Sequence, residues 1–211
     1  MPLSLLKFAL NKEYPEPRMF RRPSSLRERY DVVIIGGGGH GLAAAYYLSN
    51  TFGISNVAVL EKSYIGSGGT GRNTAIIRSN YLTEEGARFY KASCELFKTL
   101  SRDLDFNLFY SERGHFTMAH SPASLRTQRW RAEVNKHLGI DSETVGPEFI
   151  KEKIPEIDLT CGGKQPPICG ALYHPPGAIA RHDAVAWGYA RGADRKGCEI
   201  HQDTEVTGIE V

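Results

Sequence analysis

Three glycines and one glutamate carry the clearest chemical signal in this sequence. Gly36, Gly38 and Gly41 follow a short β-branched run, Val32–Ile35, and fit the pattern glycine, any, glycine, any, any, glycine. Glycines at this spacing make a tight turn, let the backbone approach a pyrophosphate, and let a helix pack closely on a strand. The helix that follows presents N–H groups and a partial positive charge to the same phosphates. The pattern therefore predicts a dinucleotide site.

Glu61 extends this prediction to the adenosine end of the ligand. It lies 20 residues beyond Gly41, at the end of a second apolar run, Val57–Leu60. A carboxylate there can accept hydrogen bonds from both ribose hydroxyls. A strand-end glutamate without any ligand is the alternative interpretation. Because no arginine occupies the position of the acid, a nucleotide with a 2′-phosphate is disfavoured.

The elements that must position these residues form a β-α-β unit. We predict a strand at Asp31–Ile35, a helix from the glycines to about Thr51, and a strand at Val57–Leu60. Apolar periodicity predicts further helices and strands downstream. The predicted helices are 84–100, 122–138, a short one from 147, and 183–196. The predicted strands are 106–110, 115–119, 170–174, 199–202 and 205–211.

Composition limits the class of protein. The chain has 211 residues, 41% of them hydrophobic and 24% charged, which is typical of a soluble globular protein. A formal charge of +2 predicts no affinity for nucleic acid or membranes. The four cysteines form no Cys-x-x-Cys pair, so we expect reduced thiols in the cytoplasm and no zinc site. The histidines other than His40 and His182 show no metal-ligand spacing and are expected to be structural or exposed.

Residues 1–30 are predicted to form a basic arm. The arm contains two proline-containing turns, and its basic residues include Arg21, Arg22, Arg27 and Arg29. A solvated leader on the protein surface is one interpretation. Contact with an acidic partner subunit is the other.

Longer segments resemble a known family. Residues 31–48, Val57–Lys62, Arg72–Tyr81 and Ala180–Trp187 are similar to the β subunits of heterotetrameric sarcosine oxidases, and the similarity begins near residue 30. These subunits belong to the D-amino-acid-oxidase-like flavoproteins. The resemblance implies an α/β chain with a Rossmann-like, glutathione-reductase-type FAD-binding domain and part of a mixed-sheet substrate domain. It also implies that the chain is the N-terminal half of a longer protein.

The resemblance assigns domains and cofactor contacts position by position. An arm at 1–30, an FAD-binding domain at 31–82 and about 165–211, and an inserted substrate region at 83–164 are expected. FAD, bound non-covalently, is expected to contact two groups of residues. In addition, the backbone of Val206 is expected to contact its adenine. Around the pyrophosphate and adenosine the residues are Gly36, Gly38, Gly39, His40, Gly41 and Glu61. Under the flavin they are Gly69, Thr70, Arg72, Thr74 and Ile76.

His182 corresponds to the family histidine that is covalently linked to a second flavin, FMN. In that family FAD takes a hydride from the amine, and FMN passes the electrons to oxygen. From the residues alone, a histidine beside Asp183 is more often a hydrogen-bonded structural residue, so the FMN assignment comes from the resemblance.

Arg78 corresponds to an arginine that holds the substrate carboxylate in related amine oxidases. A guanidinium can clamp a carboxylate with two hydrogen bonds and place the substrate against a flavin. A surface salt bridge is an equally weighted alternative.

The function implied is oxidative demethylation of sarcosine to glycine, formaldehyde and hydrogen peroxide, with oxygen as acceptor. The chain would be the flavin-carrying β subunit beside α, γ and δ subunits, with tetrahydrofolate capturing formaldehyde in another subunit. Three alternatives stay open. They are an oxidase or dehydrogenase of another N-methylated or secondary amino acid such as dimethylglycine, a truncated inactive assembly subunit, and an NAD-dependent dehydrogenase.

Overall fold

The first compact unit contains a three-stranded parallel sheet. A computed structural model describes Leu10 and residues 19–210, which pack as two units, 1–65 with 189–211 and 66–188. In the first unit β1 (Val32–Ile35), β2 (Val57–Leu60) and β9 (Glu199–His201) lie in the order β1-β2-β9. Val32 pairs with Val57, and Leu60 pairs with His201. The carboxyl ends of all three strands therefore meet at one edge, as a Rossmann site requires.

Helix α1 (Gly39–Phe52) covers this sheet through a small apolar face. Leu42 and Ala45 are fully buried, and so are all the residues of β2 from Val57 to Val59. Gly53 ends the helix in the left-handed conformation, with its N–H donating to Leu48. A glycine in this position ends a helix without a Cβ penalty, and the helix ends within one residue of the predicted end near Thr51.

The second unit contains two small antiparallel sheets. One has the order β5-β7-β6, formed by His115–Ala119, Gly170–His174 and Glu143–Val145. The other has the order β3-β8-β4, formed by Ile76–Ile77, Ala178–Ile179 and Ser111–Glu112. Strand β7 is central in the first of these sheets, and all of its residues except Tyr173 are buried.

Helices enclose the sheets of the second unit. They are α2 (Glu84–Asp103), α3 (Pro122–His137), α4 (Pro147–Lys153) and the start of α5 (His182–Arg195). Thr83 and Ser121 cap α2 and α3 by accepting N–H groups from Gly86 and Ser124. A local core of Val145, Ile150, Ile168 and Ala171 is packed by aromatic rings. Helix α5 continues into the first unit.

Two predicted strands are wrong. Residues 106–110 are not a strand because Asp105 and Phe109 have positive φ, and the Asn107 side chain accepts the Phe109 N–H in a local turn. Residues 205–210 form no ladder, although Thr204 N–H still bonds to the Glu61 carbonyl; Val211 lies outside the described residues. Strands β3, β4, β6 and β8 were not predicted.

The described part of the arm is bound to its own chain. Arg21 pairs with Asp194 at 2.8 Å, and Arg27 pairs with Glu199 at 2.7 Å. The Tyr30 hydroxyl donates to the same Glu199 carboxylate at 2.5 Å. Residues 19–30 are therefore mostly exposed and are held on the protein surface by the chain's own Asp194 and Glu199.

The fold class is the predicted α/β class with a Rossmann-like unit. The predicted domain boundaries at 82 and about 165 remain a proposal, because compact packing does not define which segments hold a cofactor. Across Leu10 and residues 19–210, no helix combines the length and apolar character needed to span a membrane.

Candidate cofactor and substrate sites

The turn from β1 to α1 requires glycine at two positions. Gly36 has φ +107°, and its N–H donates to the Leu60 carbonyl at 2.8 Å. A Cβ at Gly41 would lie 2.1 Å from the Gly36 carbonyl oxygen. Gly38 is the N-cap of helix α1 and makes no side-chain cap hydrogen bond, and the first turn of the helix contains no acid. The partial positive charge at this helix end is therefore suited to an anion.

Glu61 is joined to this turn by direct hydrogen bonds. Its side chain is 8% exposed, its Oε2 accepts the Gly37 N–H at 2.8 Å, and its Oε1 accepts the Ser63 N–H at 2.9 Å. A Cβ at Gly37 would lie 2.9 Å from the Glu61 Cβ. The carboxylate is thus held against the glycine turn, and an ionised carboxylate can accept about four hydrogen bonds.

The remaining predicted residues of this unit differ in placement. Gly38 and Gly39 start helix α1, and His40 is an exposed residue of its first turn. Val206 is half-buried but lies outside any strand. A backbone contact from Val206 to adenine stays a prediction, now made from an irregular segment.

The predicted flavin-side loop lies in the second unit and is shaped by glycines. Gly66 has φ +78°, and its carbonyl accepts the Gly71 N–H at 2.8 Å. A short 3₁₀ turn, Gly69–Arg72, follows. A Cβ at Gly68 or Gly69 would meet nothing within 4 Å, so this side of the loop is open. Open main chain of this kind lets a planar ring lie against it.

The chain then turns sharply into β3. Asn73 Oδ1 accepts the Ala75 N–H, and Ala75 has φ +58°. Thr74 and Ile76 are exposed on this segment, with 46% of Ile76 accessible. Thr70, Arg72, Thr74 and Ile76 therefore lie on one exposed stretch, as a role beneath a ligand requires. The roles themselves are untested.

His182 is the first residue of helix α5. Its Nδ1 is buried and has no hydrogen-bond partner among the described residues. The neighbouring Asp183 instead pairs with Arg181, which holds the pKa of that carboxyl below its usual range, and it also accepts the Ala184 N–H. The structural alternative, a histidine hydrogen-bonded to Asp183, is not what the contacts show.

Arg78 lies directly after β3 and is held by neutral groups. Its Nη1 donates to Asn80 Oδ1 at 2.9 Å, and its guanidinium lies 4.5 Å from the centre of the Tyr81 ring. Tyr81 in turn stacks on Tyr90, with 4.1 Å between ring centres. No carboxylate of the described chain forms an ion pair with Arg78, so the surface salt-bridge alternative is not observed there.

Arg131 and two histidines lie in the same electrostatic environment. Arg131, on helix α3, donates to the Asn80 carbonyl at 2.8 Å. Burial, followed by the charge of Arg78, lowers the pKa of His115 to about 4. His174 is fully buried, and burial lowers its pKa. Both imidazoles are therefore neutral at physiological pH.

The tautomer of His174 follows from its partners. Its Nδ1 lies 2.5 Å from the main-chain carbonyl oxygen of Asp141, and a carbonyl oxygen can only accept a hydrogen bond. Nδ1 therefore carries the hydrogen, and Nε2 accepts the Ser79 N–H at 3.3 Å. This bond ties the residue after Arg78 to the buried strand β7. These two hydrogen bonds are the physical basis of the structural role expected for His174.

Comparison with known proteins decides the family. A family model described as FAD dependent oxidoreductase matches residues 31–211. The chain belongs to the FAD dependent oxidoreductase family. It is 48% identical over 190 residues to the sarcosine oxidase subunit beta of Rhizobium meliloti (strain 1021), and 47% identical over 183 residues to that of Arthrobacter sp. These matches cover 90% and 87% of this chain but 45% of each relative, so the chain spans about half their length.

A solved structure supports the same fold. The L-proline dehydrogenase of P. horikoshii superposes with a TM-score of 0.77 at 28% identity, covering 87% of this chain and 46% of that one. The residues around the first helix fit this cofactor. The missing Cβ atoms of Gly37 and Gly41 let Glu61 and the Gly36 carbonyl pack against the turn, and the turn leads into a helix N-terminus that suits a pyrophosphate.

Sequence reasoning missed several residues of these sites. Gly37 lay inside the glycine run but outside the three-glycine pattern, and its requirement comes from the packing of Glu61. Asn80 lies in the segment Arg72–Tyr81, which resembles the family. A polar residue soon after the apolar pair Ile76 and Ile77 is only a weak sequence signal for a binding site. Arg131 is more than fifty positions from Arg78, and no spacing rule links a helix residue to a strand end at that distance.

Proposed function

We propose that the protein is a flavin-dependent amine oxidoreductase that demethylates sarcosine to glycine, formaldehyde and hydrogen peroxide, with oxygen and water consumed. The observation that carries the proposal is Arg78, a guanidinium whose partners among the described residues are all neutral and which follows the open glycine loop. An amino acid substrate offers a carboxylate that complements it. The similarity to two sarcosine oxidase β subunits supports the choice of amine.

The residues of this chain bind and orient the ligands. The first turn of α1 and the Gly36–Gly41 backbone would hold the FAD pyrophosphate, and Glu61 its adenosine ribose. Arg78 would clamp the substrate carboxylate so that the N-methyl carbon faces the flavin. FAD, when bound, supplies the acceptor for the two electrons and the hydrogen removed from that carbon.

We propose in addition that His182 carries FMN covalently. Its buried, unpartnered Nδ1 and its place at the start of a helix fit a side chain that a ligand completes. Partnership with α, γ and δ subunits, capture of formaldehyde by tetrahydrofolate in another subunit, and a cytoplasmic location are parts of the same proposal. The four cysteines, which are free thiols, agree with that location.

The test is anaerobic reduction of the purified full-length flavoprotein by sarcosine. We expect loss of the visible flavin band, followed after aeration by glycine, formaldehyde and hydrogen peroxide in equal amounts. Bleaching by dimethylglycine but not by sarcosine would move the substrate to another N-methylated amine. An intact flavin band with every N-methylated amino acid would contradict catalysis and favour an assembly role.

The FMN proposal has a separate test. We expect yellow colour to remain in the acid-precipitated protein and to be lost in His182→Asn, while acid-released FAD stays equal in both. Colour confined to the supernatant of the unmodified protein would contradict the covalent link.

A further inference from the structure

The cationic cluster around Arg78 has an unusual balance of donors and acceptors. We define it by Arg78, Asn80 and Arg131, all in the second unit. Asn80 is fully buried, and it accepts from both arginines: Arg78 bonds to its side-chain oxygen and Arg131 to its main-chain carbonyl. Asn80 is thus the group that joins two guanidiniums from different elements.

The orientation of the Asn80 amide follows from chemistry. A guanidinium only donates hydrogen bonds, so the amide oxygen must face Arg78 and the amide nitrogen must face away. That nitrogen is buried and has no acceptor within the described chain. Arg131 Nε is likewise buried without an acceptor. The unmatched polar groups of both residues are therefore donors, and they require an acceptor from elsewhere.

The charge of the cluster is uncompensated in the same way. Neither arginine forms an ion pair with any carboxylate in residues 19–210, and burial, followed by the charge of Arg78, lowers the pKa of Arg131. Two like charges in a partly buried site repel each other, and an anion bound between or beside them relieves that repulsion. A neutral ligand gives no such relief.

We propose that Asn80 and Arg131 are positioning residues that hold Arg78 for a carboxylate and make the site select amines that bear one over neutral amines. The inference rests on the proposed role of Arg78 in substrate binding. Asn80 sets the direction of the guanidinium without neutralising it. Arg131 holds the Asn80 main chain from helix α3 and adds a second positive charge.

Asn80→Asp tests the neutral acceptor with the smallest change in shape. The new carboxylate would pair with Arg78 and compete with the substrate carboxylate. We expect the dissociation constant of acetate, followed by its perturbation of the flavin spectrum in the full-length flavoprotein, to rise about tenfold or more. Binding of acetamide, the neutral analogue of the same shape, should not change.

Arg131 is tested by a charge series on helix α3. Arg131→Met should raise the KM for sarcosine about threefold to tenfold with a smaller change in kcat, since a lost ground-state contact acts mainly on binding. Arg131→Lys should recover part of that loss because it keeps the charge. Arg126→Met, an exposed arginine of the same helix, is the matched control and should behave as the unmodified protein.

Selectivity supplies the decisive readout. The ratio of kcat/KM for sarcosine to that for its neutral amide should fall in Asn80→Asp and Arg131→Met but not in Arg126→Met. Equal losses for both amines, or no change in either variant, would overturn the inference. If Asn80→Asp does not load flavin, the Arg131 series decides alone. If the unmodified protein neither binds acetate nor oxidises sarcosine, the proposed function itself has failed.

Discussion

A Cβ atom added at Gly41 would lie 2.1 Å from the carbonyl oxygen of Gly36. The same carbonyl belongs to the residue whose positive φ turns the chain out of β1. Two glycines of the fingerprint are therefore required for different reasons, one for backbone conformation and one for close approach.

Gly41→Ala should prevent normal FAD binding and destabilise the protein by about 1–3 kcal/mol, as overpacking does. Flavin content per polypeptide and the midpoint of chemical unfolding measure both effects. Gly208→Ala is the control, because a Cβ there meets nothing within 4 Å. Normal flavin content in Gly41→Ala would show that the turn can rearrange.

Glu61→Gln should weaken FAD binding about tenfold, because hydrogen bonds to a charged acceptor are lost. Glutamine has one side-chain oxygen, so the N–H of either Gly37 or Ser63 would face an amide donor. The dissociation constant of FAD from the deflavinated protein measures the change. Glu84→Gln, which removes an exposed pair with Arg88, should leave it unaltered.

Stability should decrease as the pH falls from about 6.5 towards 4. The pKa of His115 is lowered to about 4 in the folded protein, so between these values the unfolded chain binds more protons and gains relative stability. His174 acts in the same direction. Denaturant midpoints at pH 7.5 and 5.0 measure the loss.

The contribution of His115 can be separated by substitution. His115→Gln should reduce the difference between the two midpoints, whatever its effect at pH 7.5. His137→Gln, at an exposed position on α3, should not change that difference. An unchanged difference in His115→Gln would assign the pH dependence to other groups.

Tyr30→Phe should lower the free energy of unfolding by about 1–2 kcal/mol, because Glu199 loses a hydrogen bond to its carboxylate. Glu199 would keep Arg27 and His201 as partners. Chemical denaturation measures the change, and Tyr64→Phe, at a 65% exposed position, is the matched control. Equal stability of both variants would show that the arm contributes nothing through Tyr30.

The sequence by itself determined the nucleotide-binding half of the molecule. Short-range rules suffice there, because the glycine turn, helix α1 and β2 are contiguous and each residue has a local reason for its identity. The helix end at Gly53 and the Thr83 and Ser121 helix caps likewise depend on neighbours within a few positions. The predicted strand at 106–110 does not form, because the local turn at Asn107 outweighs the apolar composition of the segment.

Only the tertiary structure decided which groups face one another across the chain. Glu61 meets Gly37, Arg131 meets Asn80, and Tyr30 meets Glu199, at separations of 24, 51 and 169 positions. Such contacts depend on how helices and strands pack, which side-chain type and spacing do not encode locally. The lack of an ion pair at Arg78 among residues 19–210 is therefore a property of the folded chain, and the proposed substrate selectivity depends on it.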